Sequence, residues 1–217
     1  VYQTPRFAGL QLTAQYSFKT DTKANNYSGE EGTSDAQRYA SIGLSGEYGP
    51  AQFAVGYELT KYGSSDATST APAARELDKD GQLVFVGGNY DFEVVQLFAE
   101  AQYFKHQTAI NTNEQGEATV FGKDALGLKG YGLHLGAAAP LGAGTLTAGL
   151  YYVDYSEEFD AAADQDYKFY GVSARYNYPL SERTSLYAGA GYGQTKADDS
   201  GDKDQLTQVY CGLVHTF

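Results

Sequence analysis

The chain has no tryptophan and no methionine, and only one cysteine, three histidines and five prolines in 217 residues. A single cysteine excludes an intramolecular disulfide, so nothing about the fold can rest on one. His106, His134 and His215 are scattered along the chain, and no H-E-x-x-H spacing occurs, so no metal centre is expected. Long apolar runs are also missing. None approaches the roughly 18 residues that a membrane-spanning helix needs. Cations are few: 15 Lys and Arg stand against 27 Asp and Glu, for a net charge of −12. Nucleic acid, which is met by a basic stripe, is thereby disfavoured as a partner.

What the chain has instead is 20 Tyr, 11 Phe and 26 Gly, in a length suited to one domain. Aromatic and β-branched residues favour strands, and the dominant pattern has period two. In LQLTAQYSFK, Leu10, Leu12, Ala14, Tyr16 and Phe18 share one face, while Gln11, Thr13, Gln15, Ser17 and Lys19 share the other. AQFAVGYELT repeats the scheme from Ala51 to Thr60. Further strands are expected at about 38–48, 82–92, 94–105, 126–137, 145–155, 167–178, 185–194 and 206–217. With the stub Val1–Thr4 that makes ten to eleven strands.

The gaps alternate in kind. Pro5–Ala8, Gly49-Pro50, Phe92-Glu93, Pro140–Gly144 and Pro179–Arg183 are tight. Thr20–Gln37, Gly63–Gly81, Gln107–Asp124, Glu157–Asp166 and Ala197–Gln205 are longer and polar. An up-and-down meander collects all tight turns at one end and all long loops at the other, as transmembrane β-barrels do. The apolar face is Leu, Val, Ala, Tyr and Phe with almost no charge, as lipid requires. The other face carries Gln, Thr, Ser and Gly with occasional charges, which suits a water-filled lumen. Tyr48, Tyr90, Phe92, Tyr176, Tyr178 and Phe217 near the tight turns, and Phe18, Tyr62, Tyr103, Tyr155 and Tyr192 near the loops, are expected to form two interfacial girdles. The fold class is therefore all-β, a transmembrane antiparallel barrel. A soluble β-sandwich is the alternative, but it does not call for strict turn asymmetry.

Residues of the polar parity are the candidate pore lining: Gln11, Thr13, Gln15, Ser17, Lys19, Gln52, Glu58, Gln96, Glu100, Gln102, Ser173 and Arg175. On this parity Gly56, Gly87, Gly132, Gly136, Gly189, Gly191 and Gly193 are expected to border water in a wide barrel. Passive diffusion needs such a wall and no catalytic group. Asp198–Asp204 concentrates four carboxylates in seven residues, but without EF-hand spacing it reads as a solvated loop. Adjacent acids at Glu157-Glu158 read the same way, and Cys211 behaves as a small apolar residue.

The last residues, VYCGLVHTF, alternate apolar side chains at Val209, Cys211, Leu213 and Phe217, with His215 between them on the same parity. Here the chain resembles the general diffusion porins of Gram-negative outer membranes. GLVHTF is similar to a G-x-x-H-x-F ending, and Leu180–Tyr187 to an L-S-K-R-T-x-L-Y turn, with Glu182 at the lysine position. Tyr2–Gly9 resembles Y-x-S-P-x-F-x-G, with Thr4 for serine. The resemblance spans all 217 residues but only the later part of a barrel of about sixteen strands. It implies an incomplete single barrel domain lacking the first strands and the constriction loop. It further implies a homotrimer in contact with outer-membrane lipid and lipopolysaccharide, no cofactor, and small hydrophilic solutes as cargo. Val209, Leu213, His215 and Phe217 would form the signal read by the barrel assembly machinery. A complete ten-stranded barrel acting as a surface protease or adhesin stays open from the residues alone.

Overall fold

The structure is a computed structural model that describes residues 1–18, 38–62, 79–107, 111–112, 118–119, 125–159 and 163–216. Its elements are β1 (Tyr2–Gln3), β2 (Leu10–Ser17), β3 (Arg38–Tyr48), β4 (Ala51–Lys61), β5 (Gly81–Asp91), β6 (Gln96–Gln107), β7 (Asn111–Thr112), β8 (Ala118–Thr119), β9 (Ala125–Leu141), β10 (Gly144–Phe159), β11 (Gln165–Ser181), β12 (Thr184–Ala197) and β13 (Lys203–His215). All but β7 and β8 form one 11-stranded antiparallel sheet in chain order, and those two make a separate hairpin. The sheet is open: β1 and β13 are its two edges.

Tight turns hold the sheet at one end. Gly49 and Gly142 sit at φ 57° and 61°, where an L-residue is strained. The β5–β6 turn is closed by Phe92 N–H donating to the Val95 carbonyl (2.9 Å) and Glu93 N–H to the Asp91 carboxylate (2.7 Å). Pro140 and Pro179, expected in turns, instead pair with Thr145 and Ser185 as the last residues but one of their ladders. A strand end tolerates the lost donor, so these turns shrink to Gly142-Ala143 and Glu182-Arg183. At the other end β10, β11, β12 and β13 run beyond their expected limits. The 157–166 and 197–205 loops shorten to 160–164 and 198–202. Past the apolar band both faces of a strand are polar, so period two fades while the ladder continues. The 111–119 hairpin was not expected either.

The sheet has no hydrophobic core: among the described residues no side chain is fully buried. Leu135, Leu150 and Leu213 remain 60, 59 and 58% exposed, and Ile42, Val86, Leu97 and Val172 are also exposed. These side chains share one face, and no second layer among the described residues covers it.

Candidate functional site

The ladder register places the candidate polar residues on the face opposite that bare apolar one. Gln11, Thr13 and Gln15 of β2 stand opposite Ser45, Gly43 and Ser41 of β3. Ser41 and Glu47 in turn oppose Glu58 and Gln52 of β4. Gln96, Glu100 and Gln102 of β6 pair with Asp91, Gly87 and Phe85 of β5, and Glu100 with His134 of β9. Ser173 and Arg175 of β11 pair with Gly149 and Thr147 of β10. Ser17 belongs to the same row through Tyr39. Lys19 and Phe217 lie outside the described residues. Val209, Leu213 and His215 sit on the apolar face of β13, opposite Ala190, Leu186 and Thr184.

Near the tight turns the polar face is knitted by side chains. Arg6 forms an ion pair with Glu47 and donates to Gln11 Oε1 (3.4 Å). Gln11 Nε2 donates to the Thr4 carbonyl (3.0 Å). Asn89 Nδ2 donates to Gln52 Oε1 (3.3 Å), and Gln96 Nε2 to Asn89 Oδ1 (3.0 Å). Amides relayed strand to strand fix the wall's polar groups while leaving further acceptors for water.

This face also carries rings that alternation did not reveal: Phe85, Phe98, Tyr151, Phe169, Tyr187 and Tyr210. A Cβ at Gly56 would overlap the Phe85 ring, one at Gly189 the Tyr210 ring, and one at Gly212 the Tyr187 hydroxyl. The glycines therefore do not all border water, as expected above. Several form the recesses over which cross-strand rings lie flat, a known device for stabilising strand glycines. Tyr155, expected in the loop-side girdle, also belongs here, since it opposes Gly130 and stacks with Tyr167 (centroids 5.3 Å). On the apolar face the loop-side aromatics include Tyr16, Tyr57, Tyr103, Tyr131, Tyr152, Tyr170 and Tyr192, of which the sequence pointed to Tyr103 and Tyr192; of the others expected there, Phe18 is exposed just past β2 with its ring edge-on to Tyr16 (centroids 4.8 Å), and Tyr62 lies just past β4 with its hydroxyl on the His106 carbonyl.

Charge on the polar face is divided. Glu47, Glu58 and Glu100 lie on β3, β4 and β6, and Arg175 lies on β11. The Arg175 guanidinium sits 4.3 Å above the Tyr187 ring, a cation–π arrangement. No carboxylate among the described residues pairs with it. Beside it, Thr147, Gly149 and Ser173 floor a hollow flanked by His134 and Tyr151, which stack with centroids 4.7 Å apart.

At the loop end, His106 is buried at φ 51°, with its carbonyl accepting from Tyr62 Oη (2.8 Å). Its Nε2 lies 3.4 Å from Glu158 Oε2, a buried oxygen with no hydrogen-bond partner among the described residues. Lys129 Nζ donates to the other oxygen, Oε1 (3.4 Å). Burial pushes the His106 imidazole below its ordinary value of 6.5. Asp198 is clamped by Lys168 and lies 3.9 Å from Lys196, and the Lys168 ammonium holds its carboxyl below the usual range. The acidic loop is thus tied to lysines, and no group of three or more metal-ligating side chains gathers among the described residues.

A polar, charged face backed by an uncovered apolar face is the wall of a membrane barrel, and comparison with known proteins names the family. The model for Gram-negative porins matches residues 1–199. The chain belongs to the Gram-negative porin family. An outer membrane porin protein of Bordetella pertussis is 29% identical over 229 residues, covering 100% of this chain and 56% of the relative. The anion-selective porin from Comamonas acidovorans has the same fold with a TM-score of 0.63 at 20% identity, covering 100% of this chain and 58% of that one. The trimer form of OmpT from Vibrio cholerae gives 0.59 at 16% identity, covering 96% of this chain and 61% of that one. This porin chain spans little more than half the length of the relatives it matches. Its place is the outer membrane, where the bare face of the sheet meets lipid.

Proposed function

We propose that this chain forms part of the wall of a water-filled channel for passive diffusion of ions and small hydrophilic solutes across the outer membrane. The observation that carries the reading is the two-faced sheet. Gln11, Thr13, Gln15, Ser17, Gln52, Glu58, Gln96, Glu100, Gln102, Ser173 and Arg175 share one face, and the opposite face is apolar and uncovered. In this reading the first face lines the pore, with Lys19 added, and Arg175 provides its fixed cation on β11.

The open edges at β1 and β13, and the share of each relative that is matched, support a larger barrel to which these strands contribute. A homotrimer is supported by the trimeric neighbour. Val209, Leu213 and His215, with Phe217, would be read by the assembly machinery from the apolar edge of β13. Membership of a porin family favours a channel over a surface protease or adhesin.

The test is ion current through the full protein reconstituted in planar bilayers, together with swelling of proteoliposomes in sugars of increasing size. Stepwise conductance and entry of small sugars alone are expected. A folded protein that passes neither ions nor sugars would overturn the proposal.

A further inference from the structure

The rings on the polar face leave one gap between them. A ladder row runs Tyr151, Gly171, Gly193, Leu206 across β10, β11, β12 and β13, so two glycines separate a ring from a leucine. The next row toward the loops runs Val153, Phe169, Thr195, Asp204. Phe169 leans back over both glycines: a Cβ at Gly171 would come within 3.0 Å of its ring, and one at Gly193 within 2.9 Å. That ring is therefore the floor of the gap. On the β10 side Tyr151 is the wall. His134 stacks on one face of the tyrosine with the planes 11° apart, which leaves the other face toward Gly171. Leu206 is the opposite wall, three strand spacings of about 4.8 Å away. Together they shape an open hollow of about 470 Å³.

Two features set this hollow apart from a wall that merely borders water. Its lining is apolar on a face that is otherwise polar. Leu206 is 71% and Tyr151 40% exposed, so a solute that covers them removes apolar surface from water. The second feature is Asp204, which lines the loop-side rim. Its carboxylate has no ion pair or hydrogen bond among the described residues. Lys203, its chain neighbour, and Lys196 opposite Lys203 belong to the other face. Aromatic faces carry negative charge density and attract a cation set against them. A metal ion or a bare ammonium, being strongly hydrated, gains little from walls that cannot replace its water. A neutral solute leaves Asp204 unanswered. An ammonium wrapped in methyl groups satisfies the rings, the leucine and the carboxylate at once.

We propose that this hollow binds small quaternary ammonium solutes, with their methyl groups against Phe169, Tyr151 and Leu206 and their charge facing Asp204. The inference deepens the channel reading and rests on it for the route by which the solute arrives, because the hollow opens on the polar face. Binding at the site needs no current.

The experiment is saturation-transfer NMR of the choline methyl signal on the full protein in a polyoxyethylene detergent. Competitors are tetramethylammonium, glucose, and the uncharged choline isostere in which carbon replaces nitrogen. Tetramethylammonium should displace choline, and the isostere should need about tenfold more or fail. Asp204→Asn and Phe169→Leu should each weaken choline binding about fivefold or more. Tyr151→Phe, which keeps the ring, and Asp202→Asn, which removes a nearby loop acid, should leave it unchanged. Folding of each variant is checked by heat-modifiable gel mobility, and should one fail to fold the other carries the test. No choline signal, displacement by the isostere or by glucose as readily as by tetramethylammonium, or binding unchanged in a folded Asp204→Asn or Phe169→Leu variant would each overturn the proposal. A protein that conducts without this preference sinks the inference alone. One that shows the preference without conducting sinks the channel reading alone.

Discussion

Gly56 and Gly189 are fixed by what lies across the ladder from them, the rings of Phe85 and Tyr210. An added methyl must push the ring off its seat, so Gly56→Ala and Gly189→Ala should each cost about 1–3 kcal/mol. Gly191 has only ordinary contacts, at 3.7 Å, and Gly191→Ala should be near neutral. Urea midpoints in lipid vesicles would separate the two groups, and equal costs would show that the rings are mobile. His106 is a residue of another kind. Its imidazole is held below 6.5 in the folded protein, so the unfolded chain takes up the proton first. The stability that His106 supports is therefore complete above about pH 6.5 and is lost as pH falls from there through the lower folded value. Thermal unfolding followed from pH 7.5 down to 5 should show this loss, and His106→Gln should flatten it. Neither residue could be placed from sequence. LVFVGG is apolar on both parities, which hides the direction of Phe85, and no local signal announces the register shift between Phe104 and Gln107 that brings His106 to Glu158.

On single strands, side-chain parity carries the chemistry. Leu150 and Thr147 are three residues apart on β10 and point to opposite faces. Leu150→Arg would put a guanidinium in lipid at a cost of about 2–4 kcal/mol, whereas Thr147→Arg on the polar face should fold normally. Folding into vesicles, scored by gel mobility, checks the contrast, and equal loss in both would reverse the assignment of faces. Parity was legible wherever lipid demands an apolar side chain at every second position, which is why β3 and β4 fall where alternation placed them. It failed beyond the tyrosines. In Asp154–Glu158 neither face need be apolar, so Tyr155 was assigned to the wrong side and β10 ended too early. Ladder hydrogen bonds extend these strands there, and they leave no mark on hydropathy.

Across the sheet, Glu47, Glu58 and Glu100 of β3, β4 and β6 stand on one part of the polar face and Arg175 of β11 on another. If this face lines the pore, Arg175→Gln should shift the reversal potential of a salt gradient toward cation preference, most clearly at low ionic strength where screening is weak. An unchanged reversal potential would place Arg175 outside the ion path. Strand number, turn asymmetry and the two faces could all be read in advance because each repeats along the chain. The distribution of charge around the wall could not, since it depends on which strands become neighbours across the 108–124 segment.

The bare leucines of Leu135, Leu150 and Leu213 also bear on the life of the molecule before it reaches its membrane. In water these side chains would face other copies of the same sheet, so self-association competes with insertion until lipid covers them. Selection on such a chain acts twice: on the wall it builds, and on how long it can be carried unfolded without sticking to its own kind.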